Sequence, residues 1–207
     1  MTHSCPQCGY LLDTGATKLL SCPSCNSSIY IQNNTTSLSD INVVKNTDKY
    51  LFDIGHSVQI KNASYIPKGY SLYEYEDGFR VEWELMDNDQ NTYILNQEEE
   101  NLFFVKQIPK IEASLPAWSS MQPNTQLIIE TSDWLVVEKR EVSFVAFYGE
   151  LQNLPLQNSQ IQCSYLSNTE GECLVLVSTG QPKSGSAHYP YTAYQGWWLD
   201  PMDLVQP

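Results

Sequence analysis

From Tyr50 onward, apolar residues recur at every second position in short runs that Gly, Asn and Pro interrupt. A period of two places successive side chains on opposite faces of an extended chain, so the pattern predicts β-strands rather than helices. Phe79, Val81, Trp83 and Leu85 fall on one face and Arg80, Glu82 and Glu84 on the other, which predicts a sheet with one dry and one wet side. The polar run from Asp87 to Asn91 predicts a turn into Thr92-Tyr93-Ile94-Leu95. A hairpin centred on Asp89 sets Leu85 opposite Tyr93 and Trp83 opposite Leu95, keeping the large apolar groups together.

The second half echoes this plan eighty residues later. Gln162 to Leu166, the turn Ser167 to Gly171, and Glu172 to Leu176 lie over the first hairpin without a gap, Asn88 on Asn168 and Tyr93 on Cys173. Either one module was duplicated or two hairpins resemble each other by chance. Centred on Asn168, the second hairpin puts Cys163 directly opposite Cys173, where two free thiols pack as small apolar groups. Val142 to Tyr148 and Cys173 to Val177 are apolar on both faces and predict strands buried between layers. Leu115 to Asn124, with two prolines and no period, predicts a connector. No long amphipathic helix is expected, and Pro201 to Val205 has room for one terminal turn.

The amino end follows a different rule. Cys5-Pro6-Gln7-Cys8 and Cys22-Pro23-Ser24-Cys25 are two CxxC turns separated by thirteen residues, and a short hairpin through Asp13-Thr14-Gly15 would return the second to the first. Four thiolates at that spacing predict one structural zinc ion per chain, held by Cys5, Cys8, Cys22 and Cys25 with no open position for water. Gly9 and Asn26 stand where the chain leaves each turn with positive φ. Two such motifs without a βαβ pattern argue against a redox CxxC. The run from Gln32 to Ser37 is polar and aperiodic and predicts a linker that leaves the ribbon free to move. The expected fold class is therefore mostly β: a zinc ribbon over 1–32, a linker over 33–49, a first β module over 50–110, a connector over 111–125 and a second β module over 126–207, related to the first if the hairpins were duplicated, the body forming a sheet or barrel.

Charge narrows the function. Acids outnumber bases 24 to 11, a net −13, and the excess is spread through the body; residues 1 to 49 sum to zero. No basic stripe exists to release counterions from phosphate, which argues against nucleic acid as a partner. A basic protein, a cation or a polyamine is electrostatically easier. No apolar run is long enough to span a bilayer and the first residues do not read as a signal peptide, so no membrane insertion and a cytoplasmic location are expected. His3, His56 and His188 read as surface residues, no nucleophile or phosphate-cradling motif occurs, and Glu98-Glu99-Glu100 reads as a solvated turn. The expectation is a protein without catalytic activity. Tyr189, Tyr191, Tyr194, Trp197 and Trp198 crowd ten residues near the carboxyl end, either as an interaction surface or as a cap on the core.

Asp53-Ile54-Gly55-His56-Ser57-Val58, Trp83-Glu84-Leu85 and Tyr93-Ile94-Leu95 after the ribbon, with Gly149-Glu150-Leu151, Leu154-Pro155 and Gly196-Trp197-Trp198-Leu199-Asp200 later, resemble a bacterial family of unknown function, domain-of-unknown-function family 4178. The resemblance spans nearly the whole chain. It implies a cytoplasmic bacterial protein, often with a zinc ribbon in front and sometimes encoded near membrane-stress or polyamine-related genes, and no established activity. Two functions follow as expectations: an adaptor whose ribbon and aromatic body bind protein partners, or an enzyme or ligand-binding component of a polyamine-linked pathway.

Overall fold

The computed structural model describes residues 2–45, 51–98, 101–109, 111, 114–155, 160–178 and 189–205. Strands β1 (Thr2–Ser4) and β2 (Leu11–Asp13) pair as one hairpin, and β3 (Leu19–Ser21), β4 (Ser28–Gln32) and β5 (Thr35–Leu38) as an antiparallel ribbon. Each CxxC lies in the turn between two of these strands. The segment expected as a free linker instead supplies β5 and then docks on the body: Val43 bridges Phe147, whose N–H donates to Asn42 O at 3.0 Å. Its polar composition conceals a strand because an edge facing water needs no apolar side chains. β3 also pairs with the body, Leu20 opposite Glu150 and Leu19 opposite Leu151, and Leu19 is buried with Phe147 and Leu151. The ribbon is therefore fastened to the body and does not hang from a tether.

In the body, β6 (Val58–Ile60) leads into a meander of β7 (Ala63–Tyr75), β8 (Gly78–Met86), β9 (Thr92–Glu98) and β10 (Asn101–Gln107). After the connector, which contains a 3₁₀ turn at Trp118–Ser120, β11 (Gln126–Ile129) pairs with β12 (Ser132–Leu151). That strand opens a second meander through β13 (Ile161–Ser167), β14 (Glu172–Ser178) and β15 (Tyr191–Leu199). A 3₁₀ turn at Pro201–Asp203, capped by the Asp200 side chain, precedes β16 (Leu204–Val205), which pairs with β6. Pairing of β10 with β15 and of β7 with β12 closes eight strands into an antiparallel ring. Twenty residues of straight strand would run about 66 Å. β12 instead bends at bulges near Val137 and Val145 and changes partner, meeting β13 along Leu135 to Val142 and β7 along Ser143 to Gly149. The ring thus closes with a stagger.

The first hairpin has the expected register, Trp83 opposite Leu95 and Leu85 opposite Tyr93. The second does not: Cys163 faces Val177 across the ladder and Cys173 faces Ser167. The turn chemistry explains the shift. Asp87 Oδ1 accepts from the N–H groups of Asp89 and Asn91 at 2.9 and 2.8 Å, and Asn168 Oδ1 accepts from those of Glu170 and Glu172 at 3.0 and 2.9 Å. Gln90 and Gly171, each with positive φ, occupy the same place in the two turns. Asp87, and not Asn88, therefore corresponds to Asn168, an offset of 81 residues. A slip of one residue exchanges the two faces of a strand. With the corrected offset Leu85 lies over Leu166 and Leu95 over Leu176, and all four pack on the outside of the ring.

Both faces of the ring are covered. Outside, Val81, Trp83, Leu85 and Phe104 bury against Phe52, Val58 and Ile60 on one flank, while Leu166, Leu174 and Leu176 bury against Leu115 and Met121 on the other. Inside lie Tyr73, Phe103, Val105, Cys163, Tyr165 and Val175. The face of β8 expected to be wet is this interior face: Arg80 is 2% exposed and Glu84 5%, whereas Phe79, expected in the core, is 58% exposed. Alternation reports that two faces of a strand differ. Ring closure decides which of them meets water.

Candidate functional site

The two cysteine turns are built alike. Gly9 N–H donates to Cys5 O at 2.9 Å and Asn26 N–H to Cys22 O at 2.8 Å, and both Gly9 and Asn26 adopt the expected positive φ, 76° and 58°. Each turn thereby folds its two thiols toward one side. All four sulfurs lie within 4.8 Å of one another, with Cys5 to Cys25 and Cys8 to Cys22 both 3.7 Å apart. Four sulfurs about 2.3 Å from a common tetrahedral centre are separated by about 3.8 Å, so the cluster fits a metal ion. Cys5 and Cys22 are buried and Cys8 and Cys25 face outward. Burial pushes the Cys22 thiol up to about 12, while the Ser27 hydroxyl and backbone bring Cys25 down to about 6. A thiolate set of this kind suits a soft or borderline divalent ion and fills its shell.

A second concentration of chemistry lies inside the ring. Arg80 reaches from β8 to β13, which is not its neighbour in the ring, and donates to Tyr165 Oη at 2.5 Å. Its guanidinium also meets Glu82 at 2.7 Å and Glu98 at 3.8 Å, and its Cζ lies 4.9 Å from the Tyr73 ring centroid. Glu98 is 2% exposed, accepts from Tyr165 at 3.0 Å and faces Arg140 at 3.5 Å; Arg140 in turn meets Glu138 at 2.5 Å. The solvated turn expected at Glu98 is thus corrected for that residue, since burial in the closed ring makes it the hub of an ion cluster; Glu99 and Glu100 lie outside the described residues. Burial pushes the Glu98 carboxyl up while the two guanidinium groups pull it down, and the balance stays on the raised side. The signal was present in the sequence: a hairpin centred on Asp89 sets Arg80 directly opposite Glu98.

Glu84, on the same face of β8, has no cation beside it among the described residues. Its carboxylate accepts the backbone N–H groups of Gln152 and Asn153 at 2.7 and 3.0 Å, which ties the segment after β12 to the ring mouth. Burial nonetheless raises its pKa to about 7, against 4.5 when free, and the neighbouring Glu82 adds to the rise. A carboxyl with a raised folded pKa favours folding while protonated. Its contribution is fully present below about 4.5 and is lost as pH rises to about 7, on the order of 3 kcal/mol. Urea midpoints measured at pH 5 and pH 7 should therefore fall with rising pH in the native protein and fall less in Glu84→Gln; an identical decline in both would contradict the assignment.

The carboxyl-terminal aromatics are divided by their strand. Tyr194 and Trp198 pack with the interior cluster, Trp198 with its ring 4.0 Å from that of Phe103, while Tyr191 packs on the outer flank and donates to Pro116 O at 2.8 Å. Trp197 points outward, 46% exposed, with Lys61 Nζ 5.1 Å from its ring centroid. Tyr189, just before β15, is half-buried. The five thus do not share one face. Cys163 and Cys173 are free thiols, both buried inside the ring, and burial raises both. His3 lies in β1 and His56 is exposed, whereas His188 falls outside the described residues.

These features define a four-cysteine ribbon fastened to a staggered antiparallel barrel with an ion cluster inside. Among the described residues no helix is long and apolar enough to cross a membrane. Comparison with protein-family models, with curated proteins and with solved structures found no match in any of the three.

Proposed function

We propose that this chain is a non-catalytic adaptor of the bacterial cytoplasm, carrying one structural zinc ion in its ribbon and acting by binding a protein partner. The observation that carries the reading is the sulfur cluster. Cys5, Cys8, Cys22 and Cys25 match the spacing zinc requires, and four thiolates leave no coordination position for water or substrate, so the ion's role is to hold a surface in shape. The ribbon presents such a surface: Tyr10 and Leu11 are 48% and 67% exposed on and beside β2, and Leu38 is 51% exposed. Exposed aromatic and aliphatic groups on a rigid hairpin suit anchoring in a partner's pocket. The body's net negative charge favours a basic partner over nucleic acid.

The test joins composition to recognition. Purified protein is expected to hold one equivalent of zinc, and the protein retained by tagged native chain should be lost with Leu11→Asp and kept with Trp197→Ala. Retention of the same partner by Leu11→Asp would move the interface off the ribbon. A protein holding no metal when purified without chelator would remove the basis of the reading.

A further inference from the structure

A cavity of about 90 Å³ lies inside the ring, beside the ion cluster. An engineered cavity of about 150 Å³ accepts benzene, so this space suits a guest of about four non-hydrogen atoms, or about three waters. Its polar side is formed by Arg80, Glu82 and Glu84 on β8 and by Asn96, which β9 sets opposite Glu82. The apolar side comes from Val105 on β10 and from Val175 and Val177 on β14. Glu82 and Leu154, 24% and 39% exposed, stand where solvent reaches it.

The polar side is short of positive charge, and two of its atoms lack partners, the Asn96 Oδ1 acceptor and the Arg80 Nε donor. Arg80 is compensated by Glu82 and Glu98, and Arg140 by Glu98 and Glu138, whereas Glu84 faces no cation among the described residues. Asn96 is 3% exposed, and its Oδ1 has no hydrogen-bond partner. A buried acceptor without a partner is costly and is ordinarily satisfied by water or a guest. An ammonium group carries three donors and a positive charge, so it answers the Asn96 acceptor and the Glu84 carboxylate at once. A neutral alcohol would satisfy Asn96 and accept from Arg80 Nε but leave the Glu84 charge uncompensated; an anion would be repelled.

We propose that this cavity binds a small primary ammonium of about four non-hydrogen atoms, its N–H groups donating to Asn96 Oδ1 and the Glu84 carboxylate and its short aliphatic part lying on Val105, Val175 and Val177. Long polyamines exceed the space.

Calorimetric titration of the full, metal-loaded chain with n-propylammonium at pH 8, where Glu84 is ionised, tests this. The expected result is one site per chain, with 1-propanol and tetramethylammonium at least tenfold weaker because the first lacks charge and the second lacks N–H donors. Asn96→Leu keeps nearly the same volume and removes an unpartnered acceptor, so it should leave Tm unchanged or raise it while weakening n-propylammonium at least tenfold. Glu84→Gln should weaken it likewise; if that variant fails to fold, Asn96→Leu decides. Absence of binding, equal binding of 1-propanol, or undiminished binding by Asn96→Leu would each overturn the proposal, the first leaving a cavity filled by water alone.

Discussion

Stripping the metal is expected to unfold the ribbon and weaken, without unfolding, the barrel. Metal binding in comparable four-ligand modules is worth about 10 to 16 kcal/mol at neutral pH, more than so few strand residues gain from burial. Chelation, or Cys22→Ser, should therefore abolish hydrogen-exchange protection at Leu19 to Ser21 and at Ile29, which depend on the β3–β4 ladder. Because β3 also pairs with Glu150 and Leu151, and Leu19 is buried against Phe147 and Leu151, protection at the end of β12 should fall too. Exposing that contact costs the barrel about 2 to 3 kcal/mol, the burial of one large aliphatic side chain. Protection across β13 and β14, which meet β12 only along Leu135 to Val142 or not at all, should persist. Unchanged exchange at Leu19 to Ser21 after complete metal removal would show that the ribbon folds without its ion.

The junction also identifies a sensitive backbone position. Gly149 has a φ of 85°, and a Cβ there would stand 2.5 Å from Lys68 O and 2.7 Å from the Gly69 Cα. Its N–H receives help from the ribbon, donating to Ser21 Oγ at 2.9 Å. No side chain fits between β7 and β12 at this point, and the ribbon meets the barrel beside the place where the backbone requires glycine.

The cysteine cluster of the ribbon is legible, because paired CxxC turns carry local geometry: their spacing and the positive φ of Gly9 and Asn26 depend on neighbours within four residues. The first hairpin was legible for the same reason, since its apolar alternation and its turn agree on one centre. The second hairpin is centred on Glu170, two residues beyond Asn168, because Asn168 nucleates its turn from the first position, as Asp87 does in the first hairpin, and not from the middle. A barrel is among the body's expected forms, but which strands close it is not legible. Pairing of β10 with β15 and of β7 with β12 joins segments distant in sequence, and no local pattern states it. That one long-range fact turns the wet face of β8 into an interior and Glu98 from a solvated acid into the partner of two arginines.

Breaking this interior cluster at Arg80 should be the most damaging single change in the barrel. Arg80→Met keeps the length of the side chain and removes the charge, leaving Glu98, 2% exposed, with Arg140 alone and Glu82 with no cation at 2.7 Å. Removing one partner of a buried ion pair costs about 3 to 5 kcal/mol, chiefly from the charge left behind. If that is the origin of the cost, neutralising Glu98, the more deeply buried of the two carboxylates Arg80 leaves, should recover part of it, and Arg80→Met with Glu98→Leu is expected to be more stable than Arg80→Met alone. Arg140 would not be orphaned by the second change, because Glu138 remains at 2.5 Å. Urea unfolding of the native chain, both single variants and the double variant completes the cycle. A double variant whose loss equals the sum of the single losses would mean that the two residues act through separate packing contacts. A loss well short of the sum would place the energy in the pair itself, and with it the reason a strand that alternates Arg, Glu and Glu with Val, Trp and Leu can be buried on both sides.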